Sequence, residues 1–239
     1  MALGLVAGGG LALLLGWSVD GLHPREAWLG WQVVGLALVA GAGILDDLQP
    51  DRTSGIVAQL RELRAGRVTT GVVKLVVIVL AALLVTSRIG GAGWRPWVGA
   101  AVVAGTANVW NLLDVRPGRA LKAFLPAGLL LAFLTRAPEP AFLLAAFLLA
   151  AFLLRPDLQE RGMLGDCGAN VLGFVVGVGL YQILSTPGLV VTLVVLLALH
   201  VVSETVTLSH VIQATPPLRW ADRLGRTGEE PRAAGKSGR

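Results

Sequence analysis

Long apolar runs separated by short polar stretches recur along the whole chain. Eight of them reach or approach spanning length, at about 1–19, 28–45, 71–87, 97–113, 120–135, 141–154, 168–184 and 188–206, where a membrane-spanning helix needs roughly 20 residues. The pattern predicts an all-α integral membrane protein of about eight transmembrane helices. A polytopic domain is expected over 1–210 and a tail over 211–239, disordered beyond about 227. The first run lacks a basic leader and a small-residue cleavage site, so it reads as a retained span and not as a secretory signal. Within the longest internal polar stretch Ile56, Leu60 and Leu63 fall at helical spacing, which predicts a short helix lying on the membrane surface.

Composition agrees with this reading, at 54% hydrophobic and 15% charged with a mean hydropathy of +0.71. Of the 20 Lys and Arg, all but Arg25, Arg88, Arg95 and Arg136 fall on one side when the loops are taken alternately. By the positive-inside rule that side, with both termini, faces the cytoplasm of a multi-pass cell-membrane protein. The net charge of +5 is then mainly an orientation signal, helped by anionic membrane lipid, and requires no nucleic acid. The single Cys167 excludes an intramolecular disulfide and a paired-thiol zinc site.

Chemistry concentrates at the cytoplasmic ends of the runs. Asp46 and Asp47 stand side by side where the second run meets a polar loop. Two adjacent carboxylates at a membrane boundary repel each other and carry a desolvation cost that a divalent cation relieves, unless they simply cap the helix in water. Lys74, just inside the third span, either snorkels to the interface or aims its charge at a phosphate. Asn108, Asn111 and Asp114 recur every three residues along one side of the fourth span, which must face other helices or a water-filled cavity. After them, Arg116, Arg119 and Lys122 flank the Pro117-Gly118 turn, in a positive-inside loop able to hold phosphate through guanidinium forks. Asp166 lies between Gly165 and Gly168, glycines that allow a ligand to come close where a helix begins. His200 and Glu204, four apart, read as a structural pair, and His23 as a solvated loop histidine.

The segments Gly43-Ile-Leu-Asp-Asp47, Asn108-Val-Trp-Asn-Leu-Leu-Asp114 and Met163-Leu-Gly-Asp-Cys-Gly168 resemble, in order, spacing and membrane side, the three cytoplasmic signatures of the polyprenyl-phosphate N-acetylhexosamine-1-phosphate transferases, glycosyltransferase family 4. The resemblance covers about residues 1–226. It implies a Mg²⁺-dependent reaction, with Mn²⁺ as the alternative ion. A polyprenyl phosphate such as undecaprenyl phosphate attacks the β-phosphate of a UDP-sugar, releasing UMP and leaving a lipid-diphosphate sugar for envelope polysaccharide. Carried over by motif, Asp46, Asp47 and Lys74 are the catalytic residues, one aspartate taking the acceptor's proton. Asp166, with Asp46, ligates the metal, and Asn108, Asn111 and Asp114 shape the nucleotide side. A homodimer is open to such a protein.

Three departures qualify the resemblance. The family's usual Asp-Gly-x-Asp-Gly-Leu is replaced by Asp114-Val-Arg-Pro-Gly-Arg119, so recognition is expected to shift from the base to the diphosphate, through Arg116 and Arg119. The family's further amino-terminal span and its Asn/Gly/Pro loop, expected ahead of the first run, have no match. Nor does the histidine-rich loop of the pentapeptide transferase. A non-catalytic polyprenyl-phosphate-binding relative and a small-solute transporter are the competing readings, the latter requiring polar groups near mid-membrane.

Overall fold

Seven long helices follow the second to eighth apolar runs almost residue for residue. The structure, a computed structural model, describes residues 24–49, 56–135, 140–205 and 208–225; the first run, His23 and the tail beyond 225 lie outside them. The described residues form ten helices and no strand: α1 (Pro24–Leu48), α2 (Ile56–Arg64), α3 (Thr70–Ile89), α4 (Arg95–Leu113), α5 (Arg119–Leu134), α6 (Pro140–Leu158), α7 (Gly165–Ile183), α8 (Thr186–Thr205), α9 (Leu208–Ala214) and α10 (Pro216–Arg223). The shortest run, 141–154, gains a turn because α6 continues through Arg155 and Pro156 to Leu158. The short helix expected around Ile56, Leu60 and Leu63 is α2, which packs on α3 with Gln59 against Gly71.

Among the described residues four segments, Leu29–Leu48, Thr70–Ile89, Gly165–Ile183 and Thr186–Ser203, are long and apolar enough to cross a membrane. They are not equally placed. In α7, 72% of the apolar window is buried inside the protein, against 11% in α8. The cause lies in the sequence of α7, where Gly173 and Gly177 sit one turn apart on the face turned to α4. A Cβ on Gly173 would come within 2.6 Å of Ala107 Cα, and one on Gly177 within 2.6 Å of Val103 Cα. Two backbones approach this closely only where side chains are absent or small. Phe174, Val178 and Tyr181 then fill the core shared with α3 and α4. By contrast α8 turns Val191, Val194, Val195, Leu197 and Val201 outward. Such a continuous apolar face is costly in water and neutral against lipid.

The long helices alternate in direction, and contacts pin both ends of the bundle. At one end Arg95 donates to the carbonyls of Tyr181 and Leu184 at 2.9 Å, and the Tyr181 hydroxyl donates to the Gly90 carbonyl at 2.6 Å. Exposed Trp94 and Trp97 flank this end, as aromatic side chains do where helices leave the hydrocarbon. The opposite end gathers the termini of α1, α3, α4, α5, α6, α7 and α8, and holds the polar residues singled out above.

Candidate functional site

At the end of α1 the neighbouring aspartates part company. Asp46 turns to α3. Its Oδ1 accepts from the Thr70 hydroxyl at 2.6 Å and its Oδ2 from the Lys74 ammonium at 2.5 Å. These donors lie four apart, hence on one face of a helix whose first turn is capped by Thr69 accepting from the Val72 N–H at 3.2 Å. Lys74 also donates to Asp166, so two carboxylates from helices far apart in the chain share one ammonium. Lys74 therefore points into the site and does not snorkel outward; its side chain is 10% exposed, that of Asp46 13% and that of Asp166 35%. Asp166 is the member of the trio that a ligand can reach.

Asp47 turns the other way, to the start of α7. Its two oxygens accept the backbone N–H groups of Asp166 at 3.0 Å and Cys167 at 3.2 Å. Gly43, one turn earlier, allows this, because any Cβ there would collide with the Cys167 backbone. The two preceding amides are also answered by carboxylates. Leu164 N–H donates to Asp157 at 3.1 Å, and the Gly165 N–H bonds to Asp114. The first four N–H groups of a helix lack internal partners and carry its positive dipole end. Here Asp47, Asp114 and Asp157, each from the C-terminal end of a different helix, supply the acceptors. Gly165 itself has φ +68°, and a Cβ on it would lie 3.0 Å from Asp47 Oδ2. The glycine expected to leave room for a ligand instead leaves room for the protein's own carboxylate.

The polar stripe on α4 divides. Asn111 Oδ1 accepts from Asn170 Nδ2 at 3.4 Å, while Asn170 Nδ2 also donates to the Asp166 carbonyl at 2.6 Å. Asn108 leaves the group and meets His200 Nε2 at 2.8 Å, the other ring nitrogen lying 2.7 Å from the Leu196 carbonyl. His200 is thus engaged across helices; the side chain of Glu204, its expected partner, lies outside the described residues. Asn170 was not singled out in the sequence, although an asparagine one turn beyond Asp166 in an apolar run was the available signal. Its Oδ1 is buried without a hydrogen-bond partner among the described residues.

The loop cations are the main correction. Arg119, expected on a phosphate, is buried with Asp222 of α10, Nε to Oδ1 at 2.7 Å and Nη2 to Oδ2 at 3.3 Å, while Nη1 donates to Ser209 at 2.9 Å. Lys122 donates to the carbonyls of Ala221, Asp222 and Leu224, a cation at a helix C-terminus. Arg116 lies 3.6 Å from Asp222. These residues hold the carboxy-terminal helix to the bundle. Asp157 does similar work, accepting from Gly118 N–H at 2.6 Å as well as from Leu164. Counting cations for orientation passes over both aspartates.

Asp46, Lys74 and Asp166 together carry one net negative charge and Asp47 adds another, which suits a divalent cation. Among the described residues no three His, Cys, Asp or Glu are placed to enclose a metal. Mg²⁺, however, is commonly held by one or two carboxylates with substrate phosphates completing its shell. The hard-oxygen donors of Asp46 and Asp166, beside the unpartnered Asn170 Oδ1, fit that manner of binding and not an all-protein cage.

Burial, reinforced by the Asp157 and Asp166 carboxylates, pushes Asp114 up from 3.8 to about 7, with the Gly165 N–H opposing. A raised carboxyl binds its proton more tightly folded than unfolded, so its contribution to stability falls as pH rises from about 4 to about 7. Asp114→Asn is expected to flatten the unfolding free energy of the metal-free protein over that window. An identical pH slope in wild type and variant would count against the assignment.

Comparison with protein-family models, with curated proteins and with solved structures returns no match.

Proposed function

We propose that the protein transfers a sugar-1-phosphate, in the first instance an N-acetylhexosamine-1-phosphate, from a UDP-sugar to a polyprenyl phosphate at the cytoplasmic face of the cell membrane, with about eight spans and Mg²⁺ as cofactor. The observation that carries this reading is the meeting of Asp46 and Asp166 on Lys74 at the shared end of α1, α3 and α7. Polar groups gathered at helix ends suit a reaction between a membrane lipid and a water-soluble donor better than they suit solute passage at mid-membrane.

In this reading an oxygen of the acceptor phosphate attacks the β-phosphorus of the donor. A new P–O bond forms, the bond to the bridging oxygen breaks, and UMP leaves with those electrons. The acceptor monoester has a second pKa near 6, so at neutral pH it arrives largely as the dianion and requires no strong base. That suits Asp46 and Asp47, whose oxygens are already occupied by donors. Two of the three Lys74 donors hold Asp46 and Asp166, and the ammonium stands where it can steady a phosphate beside them. When bound through Asp166 and Asp46, Mg²⁺ would neutralise charge on the diphosphate and the leaving group. Asn111, held by Asn170, faces the same end and is assigned to the nucleotide side. Asn108, Arg119 and Lys122 have structural partners and are left out of substrate contact.

Purified protein supplied with undecaprenyl phosphate, Mg²⁺ and a panel of UDP-sugars is expected to release UMP with at least one donor. No release from any donor overturns the transferase reading and leaves a binding protein for polyprenyl phosphate.

A further inference from the structure

The last turn of α6 stands between the carboxy-terminal helix and the start of α7, and it is tied to both. Asp157, 3% exposed, sends its two carboxylate oxygens to different segments. Oδ2 accepts the Gly118 N–H at 2.6 Å, and Oδ1 accepts the Leu164 N–H at 3.1 Å. The backbone under this side chain is itself closed off, the Asp157 carbonyl accepting the Glu160 N–H and the Pro156 carbonyl the Arg161 N–H, both at 3.0 Å. The next residue adds an apolar contact to the same neighbours. Leu158 packs against Gly118 and Gly225, where an added Cβ would come within 2.3 Å and 3.1 Å of its side chain.

Each of these contacts leads on to a further element. Gly118 immediately precedes Arg119, whose guanidinium meets both oxygens of Asp222 in α10, and Lys122 of the same turn takes the carbonyls of Ala221, Asp222 and Leu224. Leu164 precedes α7 and lies two residues before Asp166. One buried carboxylate, with a single methylene of reach, thus spans from the seat of α10 to the segment that carries Asp166. A displacement of Gly118 must either drag Asp157 away from Leu164 or leave a buried charged acceptor short of a donor, and the second outcome is costly.

We infer that Asp157 couples the seating of α10 to the start of α7. While α10 is docked on Arg119 and Lys122, the turn between α4 and α5 keeps Asp157 on Leu164; release of α10 loosens the segment that carries Asp166. That this segment serves catalysis rests on the transfer reaction proposed above, whereas the coupling is read without turnover.

Amide hydrogen exchange of the full-length, metal-free protein in detergent micelles tests it. Asp222→Asn keeps the shape of the side chain and leaves the Arg119 charge unanswered, which should unseat α10. Exchange is expected to rise about tenfold or more over 208–224 and also over 162–168, the scale set by losing a hydrogen bond to a charged group, with the middle of α3 unchanged. In Asp157→Asn the amide oxygen can accept from the two N–H groups only at the expense of one of its former bonds, since the NH₂ group accepts nothing. Adding Asp222→Asn to that variant should therefore leave 162–168 where Asp157→Asn alone puts it. Lys122→Met, which removes the ammonium from the α10 carbonyls and strands no charge, gives a milder release should the Asp222 variant unfold, and the same pattern is expected from it. Exchange that rises over 208–224 while 162–168 keeps the wild-type rate overturns the coupling. So does an equal further rise over 162–168 with and without Asp157→Asn, or no rise over 208–224 in either releasing variant. Absence of UMP release bears on the transfer reaction alone and alters none of these outcomes.

Discussion

Asp166→Asn is expected to lower turnover by about 10²-fold or more, the scale on which a single charge-stabilising group contributes to catalysis. The substitution keeps the shape of the side chain and removes the charge that meets Lys74. It should also raise the Mg²⁺ concentration needed for half-maximal rate. Asp47→Asn provides the contrast. One amide oxygen can accept from Asp166 or Cys167, but its NH₂ group cannot take the other bond. That variant should lose thermal stability and some activity with little change in the Mg²⁺ requirement. Turnover of Asp166→Asn within a few-fold of wild type, or the same Mg²⁺ shift in both variants, would remove Asp166 from the site.

Arg119→Ala is expected to cost about 3–5 kcal/mol of stability, the usual result of deleting one partner of a buried ion pair and stranding the other. The pair is closed on both sides, with side chains 5% and 1% exposed for Arg119 and Asp222. Arg119→Lys should restore little, since an ammonium cannot reproduce the two-pronged contact. The double variant Arg119→Met with Asp222→Leu should lie much closer to wild type, because it removes the charges together. Denaturant unfolding and protease cleavage near 205–225 measure these outcomes. A stability change in Arg119→Ala below about 0.5 kcal/mol, typical of a surface substitution, together with a raised donor KM, would return Arg119 to the phosphate-binding role its position in the loop suggests.

The helices were legible because apolar length is a strong signal and neither turn chemistry nor long-range pairing had to be known. Runs 71–87 and 168–184 sit within a few residues of α3 and α7. Which helix lies at the centre was less legible, since α7 and α8 both carry long apolar stretches and differ in where glycine permits a close crossing. In the site, Asp46, Asp47, Lys74, Asn111, Asp114 and Asp166 come to one end as their positions implied. Their individual partners were not readable. Asp46 and Asp47 look equivalent in sequence, and only the packing of Gly43 on Cys167 sends one to α3 and the other to α7. Arg119 failed for a related reason, because a cation in a loop shows its charge but not the distant aspartate that answers it.

The division between Asp46 and Asp47 also bears on how the chain can vary in length. Neighbouring helical residues differ by about 100° in direction, and here both directions are in use, with Gly43 one turn behind. One residue inserted or deleted between Gly43 and Asp46 would swing both carboxylates off their partners at once. No side-chain rotation repairs that error, since each aspartate has a single methylene of reach. The outer half of α1 is held by Trp31, with the Arg88 guanidinium 4.4 Å from its ring centroid, and by Gly35 close to the Val85 side chain, partners whose side chains can follow a small shift. Indels in α1 should therefore be tolerated unevenly, with its last turns acting as a reading frame that the rest of the helix must be hung from.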